Sequence, residues 1–238
     1  MESGQIHNSS SVSVIIPTFR EKSRIGGLLE GLRSQFPSWQ LVVVDGGSDD
    51  GTLEVAQNTG ADLTLQTSAS RGKQMRLGAE AATGDIFLFL HADCVLPPEA
   101  LTYLENIAQE QGKVWGAFKL KHQVPKDVSF LHKLMIRTAD WRSQGSRIPY
   151  GDQGIFCTRE IYEACGGMPK QSLMEDIEFA MRLKKYGPML RLPLSIQTTA
   201  RRYLSRPIWT SICWHTFPLL YRLGVSPERL STWYGIAR

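Results

Sequence analysis

A few carboxylates, one histidine and a short basic loop stand where this chain could do chemistry. Ile86-Phe87-Leu88-Phe89-Leu90 is an apolar run that stops at His91-Ala92-Asp93. Such a run suits a strand buried on both faces. Asp93 then falls at the carboxyl end of that strand, where open α/β sheets place their ligands. A carboxylate there can hold a divalent cation against a phosphate, or it can cap the helix announced by Pro97-Pro98-Glu99. Val42-Val43-Val44 leads in the same way into Asp45, and Val14-Ile15-Ile16 into Pro17-Thr18-Phe19. Three strand ends on one edge would line a crevice of the kind that holds a nucleotide. Asp45 could equally be a turn former, because Gly46-Gly47-Ser48-Asp49-Asp50-Gly51-Thr52 follows it. That turn has neither the lysine of a P-loop nor the dinucleotide-binding glycine pattern.

Two other places carry charge against or with a helix dipole. In Ser70-Arg71-Gly72-Lys73-Gln74-Met75 the basic residues open a helix, where they oppose the dipole. A nearby anion would offset that cost, so Arg71 is the candidate contact for a nucleotide or diphosphate, with Gln74 behind it. The alternative is a solvated basic turn. Glu175-Asp176 opens an amphipathic helix, where the dipole favours carboxylates and simple capping is a sufficient explanation.

Elements positioning these residues follow from periodicity and turn chemistry. Strands are predicted over 12–16, 40–45, 62–65 and 84–90, with helices over 21–35, 71–82 and 98–111 between or after them. This alternation predicts an α/β protein with a mainly parallel, doubly wound sheet. Beyond it, 113–121 reads as a strand, 128–141 as a helix, 145–154 as a glycine-containing polar loop and 155–158 as a short strand. A short helix over 159–165, a stronger one over 175–186 and extended pieces over 188–193 and 195–199 complete the pattern.

The 238 residues allow one large α/β domain or two small ones, and 42% hydrophobic content supplies a core. A net charge of +4 permits an anionic substrate or a membrane surface without demanding either. Nothing points to nucleic acid. Cys94, Cys157, Cys165 and Cys213 show no metal-ligand spacing and read as reduced thiols of a cytoplasmic protein. Residues 1–11 read as a flexible segment without a signal-peptide core, and no stretch is long and apolar enough for a membrane span.

Three of these motifs, in this order and spacing over about residues 12–200, resemble glycosyltransferase family 2. They are Val-Ile-Ile-Pro-Thr-Phe, Val-Val-Val-Asp-Gly-Gly-Ser-Asp-Asp-Gly-Thr and Gly-Asp-Ile-Phe-Leu-Phe-Leu-His-Ala-Asp. The resemblance implies a GT-A fold, a single Rossmann-like sheet flanked by helices, and transfer of a sugar from a nucleotide-diphosphate donor with inversion. It implies a catalytic domain over 12–204, with a nucleotide-binding half over 12–95 and an acceptor half over 96–204. Pro17, Thr18 and Asp45 would face base and ribose. Asp93 would match the last carboxylate of an Asp-x-Asp metal motif holding Mn²⁺ or Mg²⁺. His91 stands where that motif usually has its first Asp. It is either a metal ligand or a strand-end histidine bonded to backbone. Asp176 would be the general base, with Glu175 orienting it. Gly151, Asp152 and Gln153 would meet the acceptor. Arg201 and Arg202 resemble a late basic motif closing over the diphosphate, unless they make surface ion pairs. The His-Ala-Asp variant with Arg-x-x-Gln-Met resembles a compact bacterial branch associated with arsenosugar biosynthesis.

A physical argument supports the base. A single displacement needs an ionised carboxylate opposite the leaving group, and a helix N-terminus helps keep it ionised. With neither a second domain nor a membrane tail in view, the acceptor would be small or lipid-linked. Segment 205–238 mixes arginine with aromatic residues. It would pack as a closing helix, make a homodimer contact, or lie on the inner face of a membrane. Two rivals remain: a non-catalytic nucleotide-sugar binder with a degenerate metal motif, and a nucleotidyltransferase, for which no basic triphosphate loop is found.

Overall fold

The computed structural model describes residues 11–125, 127–201, 204 and 207–235. The predicted flexible segment, apart from Ser11, lies outside the described residues, as does Arg202.

The first half is a set of β-α-β units. Strand β1 (Val12–Thr18) is buried at every residue, as a central strand must be, and β2 (Gln40–Asp45), β3 (Leu63–Gln66) and β4 (Ile86–Phe89) align parallel in the order β3-β2-β1-β4. Side chains alternate between the two faces. Val12, Val14 and Ile16 meet helix α1 (Lys22–Gln35) through Ile25, Leu29 and Leu32, with Ala56 of α2 (Thr52–Asn58) beside them. Ile15, Val42 and Val44 meet α3 (Arg71–Ala81) through Met75 and Ala79. Gly78 lets α3 lie flat on the sheet: a β-carbon there would come within 2.6 Å of Ile15 Cγ2 and 3.0 Å of Val44 Cγ2.

The second half continues the same sheet in mixed directions. Strands β5 (Cys94–Val95), β6 (Trp115–Gln123), β7 (Phe156–Thr158) and β8 (Leu190–Thr199) extend the order to β3-β2-β1-β4-β7-β6-β8-β5. β7 runs antiparallel to both β4 and β6, whereas β6 and β8 are parallel. Helices α4 (Ala100–Gln111), α6 (Arg159–Ala164) and α7 (Glu175–Leu183) complete the layers. α4 covers the α1 face, and α6 and α7 cover the α3 face.

Several boundaries differ from the sequence reading. The two extended pieces 188–193 and 195–199 are one strand, with Pro193 inside it. The helix predicted over 128–141 is α5 (Phe130–Gly145), and α7 ends at Leu183 in a 3-10 turn, Lys184–Tyr186. The polar loop holds another 3-10 turn, Gly151–Gln153. β5 was not predicted, because a two-residue strand shows no periodicity and is defined by its partner β8.

The chain closes with α8 (Pro207–Arg222) and α9 (Pro227–Tyr234), the latter capped by Ser226. Cys213, Phe217 and Leu230 pack with Leu173, just before α7. The Tyr221 hydroxyl donates to Glu178 Oε2 at 2.8 Å, tying α8 to α7. The inward side of α8 thus packs on the domain next to α7.

Candidate active site

The strand-end residues divide into two groups. One is internal. Asp45 has no exposed surface, and its carboxylate accepts from the Gly47 N–H at 2.9 Å, the Ser48 N–H at 2.6 Å, Ser48 Oγ at 2.6 Å and Thr18 Oγ1 at 3.2 Å. It builds the turn after β2, which is the turn-former alternative. Gln74 is buried and donates to the Thr18 carbonyl at 2.7 Å and the Val44 carbonyl at 2.9 Å. It clamps the ends of β1 and β2 together. Pro17 and Thr18 are buried in β1. None of these four lines the cleft described next.

The second group surrounds a cleft of about 540 Å³, lined by Arg71, His91, Gly151, Asp152 and Asp176, with an apolar wall that includes Met174, Trp214 and Phe217. A smaller recess of about 360 Å³ shares His91, Asp152 and Trp214 with it and adds Asp93, His122 and Thr199. Arg71, His91, Asp152 and Asp176 thus line the cleft, and Asp93 lines the recess that adjoins it.

Asp176 is placed by backbone geometry. Met174 has φ 62°, a left-handed conformation that costs a side-chain-bearing residue about 1–3 kcal/mol. That residue starts α7, whose first side chains are Glu175 and Asp176. Asp176 Oδ2 accepts the Gly151 N–H at 2.7 Å, and Oδ1 the Ile177 N–H at 2.8 Å. The carboxylate is half-buried on the cleft. Gly151 sits tightly between this carboxylate and His91: a β-carbon would lie 3.0 Å from His91 Nε2 and 3.4 Å from Asp176 Oδ2. The imidazole and the carboxylate therefore flank the same backbone atom.

Arg71 meets an anion, as its position demanded, but the anion is in the chain. Its Nε lies 2.8 Å from Glu175 Oε1, with the two side chains 16% and 1% exposed. Burial works against the Arg71 charge, yet Glu175 first, then Asp176 and Asp152, hold its pKa above the ordinary value. Gly72 makes the approach possible, since a β-carbon would strike the Pro169 carbonyl at 2.2 Å.

Gln153, Arg201 and Asp93 each have partners within the chain. Gln153 is buried, donating to the Phe118 carbonyl at 3.1 Å and accepting the Tyr150 N–H at 3.1 Å, so it braces the loop and does not face an acceptor. Arg201 pairs with Glu21 Oε1 at 3.0 Å, the surface ion pair named as its alternative. Asp93 is half-buried and accepts from Thr199 Oγ1 at 3.3 Å. Among the described residues, no group of three or more His, Cys, Asp or Glu forms a ready metal cage. The Cys94 thiol, 3.8 Å from the Asp152 carbonyl, is pushed well above its ordinary pKa by burial and by Asp93, so it is no thiolate nucleophile.

His122 and the aromatic wall went unnoticed in the sequence. His122 gave no motif signal; its Nδ1 lies 2.6 Å from Asp140 Oδ1. Trp214 packs on Tyr150 at a 5.2 Å centroid distance. The aromatic content of the C-terminal segment was visible, but not which face would meet the cleft.

The family model described as glycosyl transferase family 2 matches residues 13–167. An undecaprenyl-phosphate 4-deoxy-4-formamido-L-arabinose transferase of Serratia proteamaculans is 27% identical over 167 residues, covering 64% of this chain and 50% of that protein. The chain thus spans half the length of this curated relative. Among solved structures, a mannosyltransferase from Pyrobaculum calidifontis in complex with GDP-Man and Mn²⁺ superposes with a TM-score of 0.66 at 19% identity, over 94% of this chain and 67% of that one. S. aureus TarS 1-349 in complex with UDP-GlcNAc superposes with a TM-score of 0.62 at 19% identity, over 79% and 58%. These likenesses establish the GT-A fold.

Proposed function

The chain belongs to glycosyl transferase family 2, and from that premise we propose a metal-assisted, inverting single displacement with Asp176 as general base. The protein is a glycosyltransferase; the donor is a UDP- or GDP-sugar. The observation that carries the reading is the Asp176 carboxylate, half-exposed on the cleft and held by the Gly151 N–H. An acceptor O–H facing Asp176 gives its proton to the carboxylate as the oxygen bonds to the anomeric carbon. The bond from that carbon to the diphosphate breaks on the opposite side.

Asp93 fits a divalent cation, with His91 beside it. Mg²⁺ usually takes one or two carboxylates and completes its shell with water and substrate phosphates, and Mn²⁺ also accepts imidazole, so a closed protein cage is not required. When bound, the cation would offset the charge developing on the departing diphosphate. Arg71 would act at one remove, fixing Glu175 and through it the start of α7. The apolar wall of Met174, Trp214 and Phe217 suits a lipid-linked acceptor, in keeping with the undecaprenyl phosphate named for the curated relatives. A second reading, a nucleotide-sugar binder without turnover, is favoured by the His91 departure.

The test is release of nucleoside diphosphate from a panel of UDP- and GDP-sugars, with and without Mn²⁺. Asp176→Asn should lower turnover by about 10²–10⁴ with donor binding retained. Unchanged turnover in Asp176→Asn removes the base assignment. Binding of a donor with no turnover under any condition favours the second reading.

A further inference from the structure

Two neighbouring helices carry outward stripes that the transfer reaction does not use. On α5 the exposed large residues are Phe130 (80%), Leu131, Leu134 and Trp141 (77%). Their spacing puts them on one side of the helix, opposite the buried Ile136 and Ala139. On α8 the exposed residues Ile208, Trp209, Ile212 and Leu219 form a similar stripe, continued by Leu223 just past its end, opposite the buried Cys213 and Phe217. α5 and α8 pack against each other. Single exposed apolar residues need no explanation, but two aligned stripes on adjoining helices do.

We propose that this face docks on an anionic lipid bilayer. Charge selects the partner. α8 contains no Asp or Glu, and the single acid of α5, Asp140, is turned to His122. The charged residues on the stripes are Arg137 and Arg222, both exposed. Exposed tryptophans beside arginines suit the headgroup boundary, where the ring lies in the interface and the cation meets lipid phosphates. α8 has 16 residues, about 24 Å, and no helix among the described residues is long and apolar enough to cross a membrane, so the stripe lies along the surface. The inward side of the same helix supplies Trp214, Phe217 and Pro218 to the acceptor wall. A lipid-borne acceptor would then slide from the bilayer along α8 toward Asp176; this last step rests on the acceptor reading above, whereas the docking does not.

The full chain would be sedimented with vesicles of phosphatidylcholine alone and of equal parts phosphatidylcholine and phosphatidylglycerol. Binding should occur on the anionic vesicles and weaken with salt. The combined variant Phe130→Ser, Trp209→Ser, Ile212→Ser should lose at least tenfold in binding. Its release of diphosphate from a soluble donor should stay unchanged, which shows that it folds. No binding to anionic vesicles, or equal binding by the variant, overturns the proposal. A dimer in the absence of lipid that the variant breaks apart, without vesicle binding, also overturns it and assigns the face to a second copy. No donor or acceptor enters the vesicle assay, so its failure is separate from failure of the transferase reading.

Discussion

Replacing Arg71 by methionine would take the cation away from Glu175 while keeping the length of the apolar stem. The pair is close, at 2.8 Å, and the carboxylate is 1% exposed. Removing one partner of such a pair costs about 3–5 kcal/mol, because the other charge stays buried without compensation. Arg71 keeps some solvent contact, so the lower end, about 3 kcal/mol, is expected. With a urea dependence of about 3 kcal/mol per molar, the midpoint should fall by about 1 M. The six tryptophans give a fluorescence readout. Two controls separate charge from packing. Adding Glu175→Gln to the same chain should return most of the loss, since a neutral pair tolerates burial better than a lone carboxylate. The deficit of the single variant should also shrink from about pH 7 to about pH 5, since protonating the stranded carboxylate removes the charge. Equal stability of Arg71→Met and wild type, or a double variant no better than the single one, would refute the pairing as the anchor of this helix start.

Gly151→Ala should cost turnover more than stability. Its β-carbon must displace the His91 ring by a few tenths of an ångström, giving about a ten- to hundredfold fall in turnover beside a loss of about 1 kcal/mol in urea unfolding. Asp93→Asn and chelation of divalent cations should each lower turnover at least about tenfold, and Mn²⁺ added back should restore the wild type but not the variant. Tyr221→Phe should cost about 1 kcal/mol by loosening α8 from Glu178. Burial raises the Glu178 pKa, but the hydrogen bonds from Arg182 and Tyr221 outweigh it and leave the group below its usual 4.5. Its contribution is therefore full above about pH 4.5 and lost as pH falls through the lowered native value, a decline that unfolding curves should show as smaller in Tyr221→Phe.

The legible parts of the fold were those with a local cause. Val42-Val43-Val44 and Ile86 to Leu90 announce buried strands because nothing else explains unbroken apolar runs that short, and their ends mark the ligand edge. Arg71 shows the limit. The conflict between a basic side chain and a helix dipole correctly demanded an anion, but Glu175 is a hundred residues away in the chain, and no local pattern names it. Asp45 and Gln74 show the same limit, since their bonds to Gly47, Ser48 and the β1 and β2 carbonyls have no local signal. Polar side chains at strand ends look alike in sequence whether they face a ligand or clamp their own backbone. β5 and the joined β8 depended on pairing partners, and the aromatic wall on how α8 folds back.

The antiparallel strand β7 has a consequence for the order of events as the chain folds. Strands β3-β2-β1-β4 all lie within residues 12–89, so that part of the sheet can close without the later chain. Joining Leu88 to Phe156, or Cys94 to Thr198, needs strands that come only later in the chain. Arg71 and His91 come from the early half, Gly151 and Asp176 from the late one. Until β7 has slotted in beside β4, the molecule owns a sheet and one side of the crevice but lacks the side that carries Gly151 and Asp176. Catalytic competence is then among the last properties the chain acquires, and regain of turnover should lag regain of sheet in refolding.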